Sequence, residues 1–231
     1  MTKRPLSQEG LKFLACAIML LDHIGATLIP WGTLRIIGRL AFPIFCFLLA
    51  EGAHYTRNPR NYLLRLGIGA ILSELPFDLA LFGSWSWQHQ SVMVTLLLGA
   101  MALLAMKRMT QPLLKILVLL LFACLADFMN TDYGGAGVLL IGLFGLTRER
   151  KYGWVIQLLG MYLICRWIIP GGVVWFIDRY VFIEIFAILA LIPIWLYSGE
   201  KSTSSRAVQW AFYLFYPVHL WILYLISILL A

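Results

Sequence analysis

Residues 11–30 read LKFLACAIMLLDHIGATLIP, a run long and apolar enough to cross a bilayer as one helix, yet carrying Asp22 and His23 side by side past its midpoint. An ionisable group at that depth costs about 3 kcal/mol, so it is paired, at work, or both. Lys12 lies eleven positions before His23. At 100° per residue the two side chains share nearly the same helix face, about 16 Å apart along the axis. One face therefore leads from a cation at the helix entrance to an imidazole near mid-membrane. Other helices are needed to wall it off from lipid.

The rest of the chain supplies them. Of 231 residues, 61% are hydrophobic and 13% charged, and the mean hydropathy is +0.85. A soluble domain carries about 25% charged residues, so the composition is that of an integral membrane protein. The net charge of +7 would point to nucleic acid in a soluble protein. Here the positive residues sit in short connections between apolar runs, as orientation in a bilayer requires, and nucleic acid is excluded as a partner. Cys16, Cys46, Cys124 and Cys165 fall inside apolar runs without a C-x-x-C spacing and read as small packing residues. The basic start MTKRPLSQEG is followed by a run that meets Asp22 and His23 with no small-residue cleavage site, which predicts a retained first helix.

The hydropathy pattern predicts an all-α polytopic fold of about nine transmembrane helices in a single domain, 1–231. The spans fall at 11–30, 34–53, 62–82, 90–107, 112–129, 134–147, 153–170, 173–197 and 207–230. The sixth is short and the eighth holds Asp178, Arg179 and Glu184, so eight spans with a re-entrant sixth is the alternative count. With the N-terminus cytoplasmic, one side collects Lys3, Arg4, Lys12, Arg57, Arg60, Arg65, Lys107, Arg108, Lys115, Arg148, Arg150, Lys151, Lys201 and Arg206, fourteen of the 18 basic residues. That asymmetry puts the C-terminus outside. Trp31, Trp85, Trp87, Trp154, Trp175 and Trp210 fall near span ends, where interfacial tryptophans belong.

Arg35, Arg39, Arg166 and Arg179 escape this pattern and lie toward the outer half, where Asp22, Asp78, Asp127 and Asp178 offer partners. Arg35 and Arg39 are four residues apart and share a helix face. Each guanidinium either locks helices together or holds a carboxylate or phosphate of a ligand. Glu51 and His54 end the second span, where spacing alone favours a solvated helix end. Glu74 and Asp78 flank Pro76, and Tyr213, Tyr216 and His219 surround Pro217. Such polar groups also serve to satisfy carbonyls freed by proline. A neighbouring carboxylate would hold one tautomer of the His23 imidazole and raise its basicity. The four histidines are scattered without metal-ligand spacing, so no metal site is expected. G-x-S-x-G, P-loop and dinucleotide signatures are absent, which disfavours a serine hydrolase and a nucleotide-driven pump.

Beyond this the wording of the sequence itself is informative. The runs LKFLACAIMLLDHIGATLIP, RIIGRLAFPIFCFLLAEGAHYTRNPRNYLLRLGIGAILSELPFDLAL, TDYGGAGVLL, IWLYSGEK and FYLFYPVHLWIL, in this order, resemble the TraX family of conjugal-transfer pilin acetylases over nearly the whole chain. That family is similar to the transmembrane acyltransferases, including the acyltransferase-3 family. The resemblance implies a membrane-embedded acetyltransferase of the bacterial inner membrane. It would take acetyl from cytoplasmic acetyl-CoA, without a metal, to an acceptor amine such as the N-terminus of a membrane-inserted pilin, or to a glycan or other peptide. Carried over, His23 is the catalytic base or acyl carrier and Asp22 orients it. Lys12, Arg39, Arg57, Arg60 and Arg65 are donor contacts, and Arg35, Glu51, His54, Glu74, Asp78, Tyr216 and His219 form a supporting polar network. Ser198 departs from the asparagine the family places in its Y-N-G turn.

Chemistry agrees with that role. Coenzyme A is polyanionic and the predicted inner mouth is basic. An α-amine is about nine-tenths protonated at pH 7, so its attack on a thioester needs a base. A cation such as Arg39 would stabilise the tetrahedral oxyanion. Two other readings are open. One is a proton-coupled transporter with an Asp22, His23, Glu74 and Asp78 relay, against which stands the lack of an inverted repeat. The other is a structural membrane subunit, which leaves Asp22 and His23 without a use.

Overall fold

The computed structural model describes residues 5–29, 32–169, 172–176, 179–199 and 206–230. The chain is mainly helical. Its first helix, α1 (Gln8–Thr27), starts where the Ser7 hydroxyl accepts from the Gly10 amide at 3.1 Å. The predicted second span is two helices, α2 (Gly32–Gly38) and α3 (Ala41–Tyr55). The break at Arg39–Leu40 has a clear cause: Pro43 has no N–H for the Arg39 carbonyl, and its ring crowds that carbonyl. Then come α4 (Pro59–Phe82), α5 (Val92–Met106), α6 (Pro112–Phe128), α7 (Gly134–Thr147) and α8 (Gly153–Leu163). Asn58 caps α4 through its side chain and Pro59 takes the first position, where the missing N–H costs nothing. A π-helical turn, Ile164–Ile168, extends α8.

The segment 173–197 departs from the predicted helix. It opens as a hairpin of β1 (Val173–Phe176) and β2 (Arg179–Phe182), paired antiparallel with Val173 opposite Phe182. The runs VVWF and RYVF consist largely of β-branched and aromatic residues, and the Pro-Gly-Gly stretch before them in the sequence is of residue types that do not favour a continuing helix. A 3₁₀ helix (Ile183–Ala190) and α9 (Leu191–Trp195) complete the segment. The last helix, α10 (Arg206–Leu230), contains Pro217. All-α therefore holds with the exception of one hairpin.

Three helical stretches are long and apolar enough to cross a membrane: Gln8–Thr27, Gly32–Tyr55 and Ala207–Leu230. Large apolar side chains such as Phe13, Ile71, Leu121 and Leu229 point outward, while Leu11, Ile44, Phe77, Leu140, Phe144 and Leu220 are buried together. That outward apolar surface is what lipid, and not water, would cover. With the apolar composition, it defines a helical membrane protein.

The elements run between two ends. One gathers Leu6, whose amide bonds the Leu196 carbonyl, with Tyr55, Lys107 and Arg148. The other gathers the α4–α5 and α6–α7 connections, joined where the Gln90 amide donates to the Asn130 carbonyl and the Gln90 carbonyl accepts from the Asp132 amide. Lys3, Arg4, Trp31, Asp178 and Lys201, and the side chains of Trp175, Arg179 and Arg206, lie outside the described residues.

Candidate functional site

Helices α1, α3, α4, α5 and α10 surround a cavity of about 490 Å³. Lys12, Tyr62, Gln209 and Tyr213 line its first end, all from the opening turns of their helices. Phe82, His89 and Asp132 line the opposite end, at the α4–α5 and α6–α7 connections. His23, Arg39 and Tyr216 lie on its wall between. Sequence spacing had placed Lys12 and His23 on one face, and both line this cavity.

His23 and His219 stack with ring centroids 4.9 Å apart and planes inclined by 12°. His23 Nδ1 is 2.6 Å from His219 Nε2, and His219 Nδ1 is 2.7 Å from the Phe215 carbonyl oxygen. The carbonyl can only accept, so His219 carries its proton on Nδ1 and offers Nε2 as an acceptor. His23 must then donate from Nδ1. Its Nε2 keeps a lone pair and makes no hydrogen bond to a described residue. A chain of two bonds thus fixes one tautomer of a cavity-wall imidazole.

Asp22 does not orient His23. Neighbouring residues on a helix point about 100° apart, and its carboxylate faces α2. Asp22 Oδ1 lies 2.7 Å and Oδ2 2.8 Å from Arg39 Nη2, and Oδ2 lies 2.8 Å from Arg35 Nη1. Arg39 Nη1 also donates to Glu184 Oε1 at 2.9 Å and to the Tyr133 hydroxyl at 3.2 Å, and Nε donates to the Arg35 carbonyl. Every guanidinium nitrogen of Arg39 is thus engaged within the protein, which removes it from the donor contacts implied by resemblance. Glu184 and Tyr133 were absent from the sequence-derived site. The signal for Glu184 was a carboxylate inside a strongly apolar run, VFIEIFAIL. For Tyr133 it was its place in TDYGGAGVLL, one of the runs that carry the family resemblance.

Two backbone features hold this network together. Tyr133 has φ 63°, a left-handed conformation rare outside glycine, and its ring stacks on Phe42 at 3.8 Å. Gly38 lies against Asp22, where a Cβ would overlap the carboxylate. Gly38→Ala is therefore expected to push Asp22 off Arg39 and to destabilise the fold by about 2 kcal/mol, read as a lower thermal midpoint in detergent.

The remaining predicted residues separate. Lys12 Nζ lies 5.4 Å from the Phe212 ring centroid on the cavity wall, and Arg65 stacks on Tyr213, another cavity residue. Arg57 and Arg60 are exposed at the α3–α4 connection of the same end. Glu51 pairs with Arg148, and His54 lies 3.8 Å from Glu149, on residues that do not line this cavity. Glu74 accepts from the Ser91 amide and hydroxyl at the start of α5, and Asp78 accepts from the Ser86 amide. These carboxylates fasten the α4–α5 connection and do not reach Asp22 or His23, so the proposed relay is not assembled. Tyr216 lines the cavity, sits edge-on to His23 at 5.9 Å, and its buried hydroxyl has no partner among the described residues. No group of three or more potential metal ligands occurs among the described residues.

Fold and site together define a helical membrane protein with a histidine pair set into a cavity that reaches toward both ends. The chain belongs to the TraX family, whose pattern, described as "TraX protein", it matches over residues 7–227. It is 29% identical to the "Probable fimbrial assembly protein FimC, serogroup H1" of Dichelobacter nodosus, with 91% of each chain covered. A shorter stretch is 42% identical to the "Uncharacterized protein RP591" of Rickettsia prowazekii (strain Madrid E), covering 26% of this chain and 24% of that one. No solved structure matches.

Proposed function

We propose that the protein is an acetyltransferase of the bacterial inner membrane, spanning it nine times with the N-terminus cytoplasmic, and that it moves acetyl from acetyl-CoA to an acceptor amine. The observation that carries this reading is the free Nε2 of His23, fixed in one tautomer by His219, on the wall of a cavity open toward Lys12. The family and the fimbrial name of a relative support a pilin N-terminus as the acceptor.

The chemistry follows from placement. Lys12, with Arg57, Arg60 and Arg65 beside the same mouth, attracts the phosphates of the donor, leaving the thioester to reach inward. A neutral amine attacks the thioester carbon while His23 Nε2 takes its proton. As the tetrahedral intermediate collapses, the C–S bond breaks and the thiolate receives that proton from His23. The amide and free coenzyme A result. Developing negative charge on the carbonyl oxygen needs a donor not already spent. Arg39 is spent, and the Tyr216 hydroxyl beside His23 is not.

The test is purified protein in proteoliposomes with radiolabelled acetyl-CoA and a peptide bearing a free N-terminus. Release of coenzyme A with label on the peptide is the expected result. Failure to bind or consume acetyl-CoA, together with a pH-driven solute flux, would establish the transporter instead.

A further inference from the structure

We propose that Asp132 is the subsite for the acceptor's ammonium group, so that the site takes amines from the end of the cavity opposite Lys12. This rests on the transferase reading and deepens it by assigning recognition of that acceptor amine to one residue.

The neighbouring carboxylates all have partners. Asp22 holds Arg35 and Arg39, Glu184 holds Arg39, Glu74 holds Ser91, Asp78 holds the Ser86 amide, and Asp127 holds the Gly135 amide. Asp132 is the one carboxylate among the described residues with neither a hydrogen bond nor an ion pair, and it lines the cavity. A bare carboxylate there is costly without a cationic visitor.

Its mount is specific. The Asp132 amide donates to the Gln90 carbonyl at 2.8 Å, and its own carbonyl accepts from the Thr95 hydroxyl. Asn130 on one side and Tyr133 on the other have positive φ. Tyr133 in turn touches Arg39, which holds Asp22, the chain neighbour of His23. The free carboxylate is therefore built onto the same framework as the base.

The charges along the cavity then have a direction. Arg35 and Arg39 are matched by Asp22 and Glu184, which leaves Lys12 as the cation of one end and Asp132 as the anion of the other. Anionic donor and cationic acceptor are drawn to opposite mouths. A hydroxyl acceptor could donate a hydrogen bond to Asp132 but would gain no charge pairing from it. Burial pushes the Asp132 carboxyl up to about 6, with Arg39 and His89 favouring its charged form and Asp22 and Glu184 opposing it. It is still mostly ionised at neutral pH, as a bound ammonium requires. The bound ammonium loses one proton to water at the mouth and reaches the thioester as the neutral amine.

The test compares Asp132→Asn with the parent protein on two peptides that differ only in an N-terminal α-amine or α-hydroxyl. Losing a charge-assisted bond is expected to raise KM for the amine by about 10- to 100-fold, with KM for acetyl-CoA unmoved and the hydroxyl peptide little affected. Asp132→Glu should recover part of the amine preference. Equal losses with both peptides, or an unchanged KM for the amine, would overturn the assignment while leaving the transferase standing. A parent protein that never consumes acetyl-CoA would overturn both. Stability supplies a separate reading. A carboxyl raised in the fold contributes stability that is present below about pH 4 and lost as pH rises through about 6. Asp132→Asn should therefore melt higher than the parent at pH 7.5 and equally at pH 4. A lower midpoint at pH 7.5 would mean that Asp132 has a structural partner, and would count against the subsite.

Discussion

Replacing His219 with alanine should lower kcat for acetyl transfer by about 10²- to 10³-fold, while KM for acetyl-CoA and the thermal midpoint change little. The reason is tautomeric. His219 Nε2 is the acceptor that keeps the His23 proton on Nδ1. Without it nothing in the described site prevents that proton from residing on Nε2, where it removes the lone pair that must receive the amine's proton. General-base assistance contributes about 10² to 10⁴ in rate, so His23→Ala should lose the whole of it, about 10⁴-fold, and the His219 variant only part. His219→Gln separates positioning from packing, because its amide oxygen can accept from His23 Nδ1. It should recover a good part of the loss, whereas a mere filler of the same volume such as leucine should not. If His219→Ala keeps full turnover, the dyad is structural and His23 works unaided. If leucine rescues as well as glutamine, His219 only fills space.

That pairing shows where sequence reasoning reached and where it stopped. Apolar run length located most of the helices closely, since a long apolar helix announces itself through composition alone. Lys12 and His23 on one face followed from helical periodicity, and the cavity contains both. The partner of His23 was another matter. Asp22 was adjacent in sequence and suggested itself, but adjacent helical residues diverge, and the true partner is 196 positions away across the α1–α10 contact. Only tertiary packing brings His219 there. The resemblance had placed it in a supporting network without a role.

The hairpin and the helix break were hidden for local reasons. A short run such as VVWF is apolar whether it becomes strand or helix, and hydropathy cannot tell them apart. The break at Arg39–Leu40 was legible in Pro43, four residues downstream, but only if the missing rung is traced back to its carbonyl. Its consequence is functional, since the break lets Arg39 turn its guanidinium between Asp22 and Glu184. Arg39 thereby became a strut and ceased to be a candidate for the oxyanion.

Asp22→Ala should accordingly act on the fold before it acts on the chemistry. Arg39 is buried and Arg35 about one-third exposed, at 36% of the side chain. Removing their shared carboxylate leaves two guanidinium groups against Glu184 alone. Breaking a buried pair from one side costs about 3 to 5 kcal/mol, and here the lower figure applies because Glu184 and Tyr133 remain and Arg35 reaches solvent. The measurement is SDS-induced unfolding in mixed micelles, with activity normalised to the folded fraction. Asp22→Asn should be milder, since an amide oxygen still accepts from Arg39, though without the charge. Were Asp22 the orienting group for His23, the outcome would invert: the fold would persist at parental stability while kcat collapsed. The geometry favours the first result, because the Asp22 oxygens lie within 2.8 Å of arginine nitrogens and the hydrogen bond from His23 Nδ1 goes to His219. A double variant, Asp22→Ala with His219→Ala, should then show a stability loss from one site and a rate loss from the other, combining additively because the two side chains share no bond.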